Sequence, residues 1–203
     1  MRLYFQKLCR NHVNRDGGNE MQIIDLTLDN EAHVRQTATL LVEGFQKLPD
    51  VWDDLPDALD EVHEALEPGK ICRIALDNAG SVVGWVGGNP QYNDRVWELH
   101  PLVVEPEHQG KGIGRALVAD LEEQVRQRGG LTIMLGTDDV VGQTSLSGVD
   151  LYPDIAHHIQ TIRNLHGHPF EFYQKCGFVI SGLVPDANGF GKPDILMAKR
   201  VSK

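Results

Sequence analysis

The sequence predicts a single α+β domain in which a mixed central β-sheet is flanked by helices. Three observations lead there. The apolar pattern switches between alternation and helical spacing in the order β-α-α-β-β-β-α-β-α-β-β, which implies a mixed sheet. A length of 203 residues is enough for one well-packed domain and short for two. A content of 41% hydrophobic and 24% charged residues is that of an ordinary soluble globular protein, and excludes disorder and collagen-like repeats.

Residues 1–20, ending Asn14-Arg15-Asp16-Gly17-Gly18-Asn19-Glu20, show no sustained period and are rich in turn formers. They are expected to be an N-terminal tail or extended start, with the domain itself spanning 21–203. Residues 21–26 alternate as a first strand. Asn30 is a good N-cap for a first helix carrying Val34, Ala38, Leu41, Val42 and Phe45 at helical spacing. A second helix, with Leu59, Val62, Ala65 and Leu66, is stopped by Pro68-Gly69. Residues 71–76 and 81–86 flank Asp77-Asn78-Ala79-Gly80, a hairpin turn.

Residues 97–104 are apolar enough for a central strand. A Gly-rich turn follows, then Ile113, Leu117, Leu121 and Val125 carry a helix to Arg128-Gly129-Gly130, and residues 131–135 form a short buried strand. Residues 137–167 are irregular and polar, with room for a helix at 155–162. A short helix at 170–175 is ended by Gly177, and 178–183 and 194–198 are the last two strands.

The 19 Lys and Arg against 29 Asp and Glu leave a net charge of −10. That balance disfavours nucleic acid or an anionic membrane as partner, and makes a cationic partner the first expectation. Cys9, Cys72 and Cys176 are odd in number and lack C-x-x-C spacing, so neither a disulfide framework nor structural zinc is indicated, and a reducing, cytoplasmic setting is expected. There is no apolar h-region near the N-terminus and no apolar run near the ~20 residues that span a bilayer, so neither export nor membrane insertion is expected.

The segment from Glu105 through Gln109-Gly110-Lys111-Gly112-Ile113-Gly114-Arg115 to Leu117 joins a strand to a helix. Its three glycines leave backbone N–H groups uncovered at the positive end of that helix, a natural anion site. Spacing fits neither a P-loop nor a dinucleotide fingerprint. A Gly-rich turn without a ligand is the plainer alternative for such spacing alone. The pairs His157-His158 and His166-x-His168 have no supporting cysteine or H-E-x-x-H, so no metal is predicted. The absence of G-x-S-x-G disfavours a serine hydrolase.

Gln109-x-x-Gly112-x-Gly114-Arg115-Ala116-Leu117, placed after the strand ending at Val104, resembles the acetyl-CoA pyrophosphate loop of the GNAT superfamily of N-acetyltransferases. Phe172-Tyr173-Gln174-Lys175-Cys176-Gly177-Phe178 resembles that superfamily's second signature, and the resemblance runs over about residues 21–200. More narrowly, Trp97-Glu98-Leu99-His100-Pro101-Leu102-Val103-Val104, Leu135-Gly136-Thr137-Asp138-Asp139, His168-Pro169-Phe170-Glu171-Phe172-Tyr173 and Asn188-Gly189-Phe190-Gly191-Lys192-Pro193-Asp194 resemble aminoglycoside 6′-N-acetyltransferases.

The resemblance implies acetyl-CoA as co-substrate, without a metal. It implies that Leu102, Val103 and Val104 pair through their backbone with the pantetheine arm, a bulge directing the Leu102 N–H at the thioester carbonyl. Gln109, Gly110, Lys111, Gly112, Ile113, Gly114 and Arg115 would hold the pyrophosphate, and the Tyr173 hydroxyl would protonate the leaving thiolate. One residue departs from the pattern: the Asn common seven positions before this Tyr is His166 here. Association as a homodimer is implied as well, with Trp52, Phe190 and the insertion as weak sequence support.

An alkylamine acceptor resembles lysine, with a pKa of about 10.4, and must lose a proton before it attacks. Glu98 and His100, two apart on one strand, share a face, and either could take the proton directly or through a water. Glu98 could also bind the ammonium. A solvent-facing carboxylate, a structural histidine and a core tyrosine are the plainer readings of Glu98, His100 and Tyr173.

Between Leu48 and Gly69 lie Asp50, Asp53, Asp54, Asp57, Asp60, Glu61, Glu64 and Glu67 with no Lys or Arg. This is a solvated helix face or, in part, the lining of an acceptor cleft. Asp138 and Asp139, expected just beyond a strand end, are candidates for binding the cationic substrate, with Asp150 and Asp154 as possible contributors from the insertion. The expected function is acetyl transfer to the 6′-amine of an aminoglycoside by direct attack in a ternary complex, an antibiotic-resistance activity. Acetylation of another cation, a polyamine or a basic protein, and a CoA-binding regulatory module without turnover stand as alternatives.

Overall fold

The computed structural model describes residues 21–46, 52 and 54–202. Residues 1–20, with Cys9, and Asp50 and Asp53 of the acidic run lie outside the described residues. The strands are β1 (Gln22–Asp25), β2 (Ile71–Leu76), β3 (Val82–Gln91), β4 (Val96–Val104), β5 (Thr132–Asp138), β6 (Val179–Val184) and β7 (Asp194–Arg200). The helices are α1 (Glu31–Phe45), α2 (Leu55–Ala65), α3 (Ile113–Gln127), α4 (Ile155–Thr161) and α5 (Phe170–Lys175). The strands form one sheet in the order β1-β2-β3-β4-β5-β7-β6, with β4 at its centre and the β4–β5 pair parallel, as the mixed α+β expectation requires.

Local chemistry sets the helix boundaries. The Asn30 side chain accepts the His33 N–H at 3.1 Å and starts α1. Asp54 does the same for Asp57 at 3.0 Å and starts α2, with Pro56 in its first turn. The stripe Ile113, Leu117, Val118, Leu121 and Val125 buries one face of α3.

Two cores sandwich the sheet. On one side α1 and α2 pack Ala38, Leu41, Ala58 and Val62 against Ile74 and Trp85. On the other, α3 and α5 pack Leu117, Leu121, Phe170 and Tyr173 against Trp97, Leu99 and Ile133. Each fully buried Leu, Ile or Val contributes roughly 1.5–3 kcal/mol through loss of water contact. Within β4, Trp97 and Leu99 face the α3 side whereas Val103 faces the α1–α2 side. A strand whose odd-numbered residues change face has gained a residue, and that irregularity lies at the site described below.

Strands β3 and β5 run furthest past their sequence expectation. β3 continues to Gln91, and β5 continues past Leu135 through Gly136, Thr137 and Asp138. The added part of β5 pairs with Ile195 and Asp194 of β7 and has no partner on its other edge, so it needs no apolar side chains. Among the described residues, no helix is long and apolar enough to cross a membrane.

Candidate active site

Strands β3 and β4 pair Val86 with Leu102 and then Gly88 with Leu99, so Gly87 opposes both His100 and Pro101. This is the expected bulge, and the peptide bond within it, His100-Pro101, is cis. Strands β4 and β5 pair only at Val96–Thr132, Trp97–Ile133 and Glu98–Met134. Beyond Glu98 the two strands part, leaving one edge of β4 unpaired.

Hydrogen-bond alternation says which backbone groups line that edge. The Glu105 N–H donates to the Val83 carbonyl at 3.0 Å, so Val103, two residues back, also directs its backbone groups at β3. Leu102 and Val104 direct theirs into the gap, and the Val104 carbonyl there accepts from Gln109 Nε2 at 3.0 Å. The Leu102 N–H is therefore available where the resemblance expects an oxyanion donor. Val103 is corrected: its backbone is spent on β3, and its side chain is buried among α1 and α2.

At the far end of β4, Gly110 (φ 74°) and Gly112 (φ 89°) occupy the left-handed region, the latter as N-cap of α3. Side chains at either position would meet nothing within 4 Å, so backbone conformation and not crowding calls for glycine. No side chain caps α3 and no acidic residue stands in its first turn, which leaves its N–H groups and positive dipole end facing outward. Lys111 and Arg115 are exposed beside them. At Gly114 a Cβ would lie 3.3 Å from the Phe172 ring, so a bare backbone here lets α5 approach α3.

Tyr173 sits on α5 against Phe172 and Phe178, with ring centroids 5.2 and 5.8 Å away. It is 9% exposed, and no partner among the described residues takes its hydroxyl. Burial raises its pKa well above that of an ordinary phenol, so it stays protonated and keeps a proton to donate. Lys199 of β7 donates to the Cys176 carbonyl at 2.6 Å and pairs with Glu122 of α3, tying down the C-terminal end of α5.

Two histidines flagged by the sequence separate here. His168 is buried; its Nδ1 accepts the Phe170 N–H at 3.2 Å and its Nε2 meets the Asp138 carbonyl at 3.0 Å. That pairing requires the neutral ring protonated at Nε2, and desolvation accordingly lowers its pKa. His168 thus fixes the start of α5. His166 is exposed, and its backbone bonds Gln143 through both its N–H and its carbonyl.

Glu98, the last residue of β4 paired with β5, stands at the apex of the gap, partly exposed, with Gln91 Nε2 3.4 Å away. His100 Nε2 lies 3.5 Å from Glu61 Oε1 of α2. The hydrogen bond with Glu61 raises the His100 pKa and lowers that of Glu61, more than burial opposes either change. Asp138 closes β5, its Oδ1 accepting from Asn188 Nδ2. Asp194 lies opposite it on β7, pushed up to about 6 first by burial and then by Asp138.

Asp139 is a second correction. It is 0% exposed, and its carboxylate is filled by the Gln143 N–H at 2.6 Å and the Thr144 N–H and hydroxyl at 2.8 and 2.7 Å. It folds the insertion instead of facing a substrate. Asp150 and Asp154 likewise accept backbone N–H groups, from Tyr152 and His157. Sequence reasoning missed Asp194, read only as the start of the last strand, and did not single out Glu61 within its run. Among the described residues, no group of three His, Cys, Asp or Glu is placed to hold a metal ion. A depression of about 650 Å³ lined by Ile159, Ile162, Phe170 and Ile180 lies apart from these residues, between α4, α5 and β6.

A parted pair of central strands, with a Gly-rich helix start at one end of the gap, matches what the family comparison returns: the acetyltransferase (GNAT) family model covers residues 37–146. The chain belongs to the GNAT acetyltransferase family. As a GNAT enzyme it is an acetyl-CoA-dependent N-acetyltransferase. Among solved structures, an aminoglycoside 6′-N-acetyltransferase complexed with coenzyme A is 41% identical over 89% of this chain and 97% of its own, with a TM-score of 0.83. The aminoglycoside 6′-N-acetyltransferase from Enterococcus faecium is also 41% identical over 89% and 97%, at 0.81. An aminoglycoside 6′-acetyltransferase of type Ii is 35% identical over the same shares, at 0.69. No curated protein sequence matches the chain.

For a GNAT acetyltransferase the fit of residues to co-substrate is consistent along the gap. Backbone edge groups of Leu102 and Val104 suit the amides of a pantetheine arm. The uncapped N–H groups at the start of α3, with Lys111 and Arg115 at the rim, suit a pyrophosphate.

Proposed function

We propose that this GNAT enzyme transfers the acetyl group of acetyl-CoA to the 6′-amine of an aminoglycoside by direct attack in a ternary complex. The observation that carries it is the carboxylate of Glu98 at the apex of the β4–β5 gap, next to the edge on which the Leu102 N–H is free. The 41% identity to two aminoglycoside 6′-N-acetyltransferases supports the choice of acceptor. So does the net charge of −10, which attracts a polycation.

In this reading acetyl-CoA supplies an acetyl thioester. Glu98 takes a proton from the acceptor ammonium, directly or through a water, and the freed amine attacks the thioester carbonyl. His100 is bonded to Glu61 and leaves that task to Glu98. The Leu102 N–H donates to the oxygen on which negative charge develops. The Tyr173 hydroxyl donates to the departing sulfur. Asp138 and Asp194 attract the acceptor's other ammonium groups. Acetylation cancels one positive charge of the antibiotic, which is the route to resistance.

The test is incubation with acetyl-CoA and a panel of aminoglycosides, following release of free thiol and locating the acetyl group by NMR. Turnover of 6′-amino compounds, and none of their 6′-hydroxyl counterparts, is expected. Faster turnover of polyamines or basic peptides would move the acceptor assignment, and tight acetyl-CoA binding without turnover of any amine would end it. We further propose that two copies associate and that the enzyme works in a reducing, cytoplasmic setting. Phe190, 87% exposed, and the free thiols Cys72 and Cys176 support these readings. Light scattering tests the first and fractionation of the producing cells the second.

A further inference from the structure

In the acidic run, Asp57, Asp60, Glu64 and Glu67 are exposed, and Glu64 and Glu67 meet Lys70 at 3.1 and 3.2 Å. Asp54 is a helix cap. Glu61 is different: its side chain is 22% exposed and bonds His100 of β4 instead of facing solvent. Trp52, from the connection between α1 and α2, lies over the same His100 ring, centroids 5.8 Å apart and planes tilted by 46°. It meets Phe45 of α1 edge-on at 4.8 Å. The Trp52 backbone is in the left-handed region (φ 46°), an uncommon state for a bulky residue that surrounding contacts must hold.

We propose that Glu61 is a positioning residue of the acceptor site: with Trp52 it clamps the His100 ring, and so latches α2 to the reaction strand beside Glu98. The role in acceptor binding rests on the cleft being the aminoglycoside site; the clamp itself does not. The charged groups facing His100 are Glu61 and Glu64 from α2 and Glu98 from its own strand, all acidic. These carboxylates favour the protonated form of the clamped ring, which therefore holds its proton to higher pH than an ordinary imidazole. Because the histidine's pKa is raised above 6.5 and that of Glu61 is lowered below 4.5, the clamp is complete between the two and is released as pH rises through the first or falls through the second. In its protonated form His100 braces α2, and accepting the acceptor's proton falls to Glu98.

Tryptophan emission offers a readout independent of turnover. Trp85 and Trp97 are 0% and 2% exposed in the two cores, whereas Trp52 lies against an ionisable ring whose protonated form quenches indole fluorescence. In the full chain, emission should rise through a single step with its midpoint above pH 6.5. His100→Gln and Trp52→Phe should each abolish the step, and Glu61→Gln, of equal size, should move it to lower pH. A step at the same pH in Glu61→Gln, or its absence from the wild type, overturns the clamp whatever the enzyme acetylates.

With an aminoglycoside as acceptor, Glu61→Gln should raise KM several-fold more than it lowers kcat, and Glu61→Asp should recover part of the loss. If the step moves while KM stays put, the positioning role falls. If the step moves in a protein that acetylates no amine, the clamp is upheld and the aminoglycoside reading falls alone.

Discussion

Asp194 stands directly opposite Asp138 across the β5–β7 ladder, and Asp194 Oδ1 is buried without a partner among the described residues. The Asp194 carboxyl, pushed up from 3.8 to about 6, binds its proton more tightly in the folded chain than in the unfolded one. Its contribution to stability is present below the unfolded value and is lost as pH rises through about 6. Asp194→Asn should leave the melting temperature almost unchanged near pH 4. At pH 7.5 it should stabilise by about 1 kcal/mol, a figure reduced for the solvent reaching this half-buried group. Equal shifts in thermal melts at the two pH values would contradict the assignment.

Glu98→Gln keeps the shape of the cleft and removes the proton acceptor. A fall in kcat/KM of about 100-fold is expected with a 6′-amino acceptor at saturating acetyl-CoA. A loss smaller than about threefold would show that the proton goes elsewhere.

Tyr173→Phe should slow kcat by about 10- to 100-fold while leaving the acetyl-CoA KM nearly constant. The hydroxyl has no partner among the described residues, so calorimetric melting should differ little from that of the wild type. A large loss of stability would recast Tyr173 as a core residue.

Two glycines should fail in different ways. At Gly87 a Cβ would lie 2.1 Å from the His100 carbonyl oxygen, a backbone atom that cannot swing aside. Gly87→Ala should therefore cost roughly 2–4 kcal/mol and open the bulge that aims Leu102. Gly112→Ala meets open space and strains only φ, for about 1 kcal/mol, and should chiefly weaken acetyl-CoA binding in calorimetry.

Asp139→Ala should remove roughly 2–4 kcal/mol, because two buried donors of Thr144 and a part-buried one of Gln143 lose their acceptor. At a temperature where the variant is folded, the acceptor KM should change far less than in Glu98→Gln. The reverse order of effects would return Asp139 to the substrate cleft.

Local signals made most of the fold legible: the Asn30 cap, the turn at 77–80 and the α3 stripe each depend on residues a few positions apart. Spacing likewise exposed Glu98 and the glycines before α3, and the family resemblance singled out Tyr173. Long-range pairing stayed hidden. Val103 reads as one of three consecutive apolar residues, and only the register with β3 reveals that its backbone is already committed. Asp138 and Asp139 read as twins, yet one ends a strand and the other is enclosed by a turn four to five residues on. Glu61 carries the same letter as its exposed neighbours, and its distinction comes from where α2 lies against β4.

The seam between β4 and β5 has three rungs, and it joins a four-stranded leaf to a three-stranded one. A pantetheine arm laid along the open edge would add rungs to the same ladder, acting as a short guest strand that splints the leaves together. Folding and cofactor capture are then linked, and an acetyl-CoA concentration 100 times its dissociation constant would add about 2.7 kcal/mol to the stability of the whole chain. Mutations that loosen the hinge between the leaves should therefore first show as a weakened hold on acetyl-CoA, well before the protein unfolds.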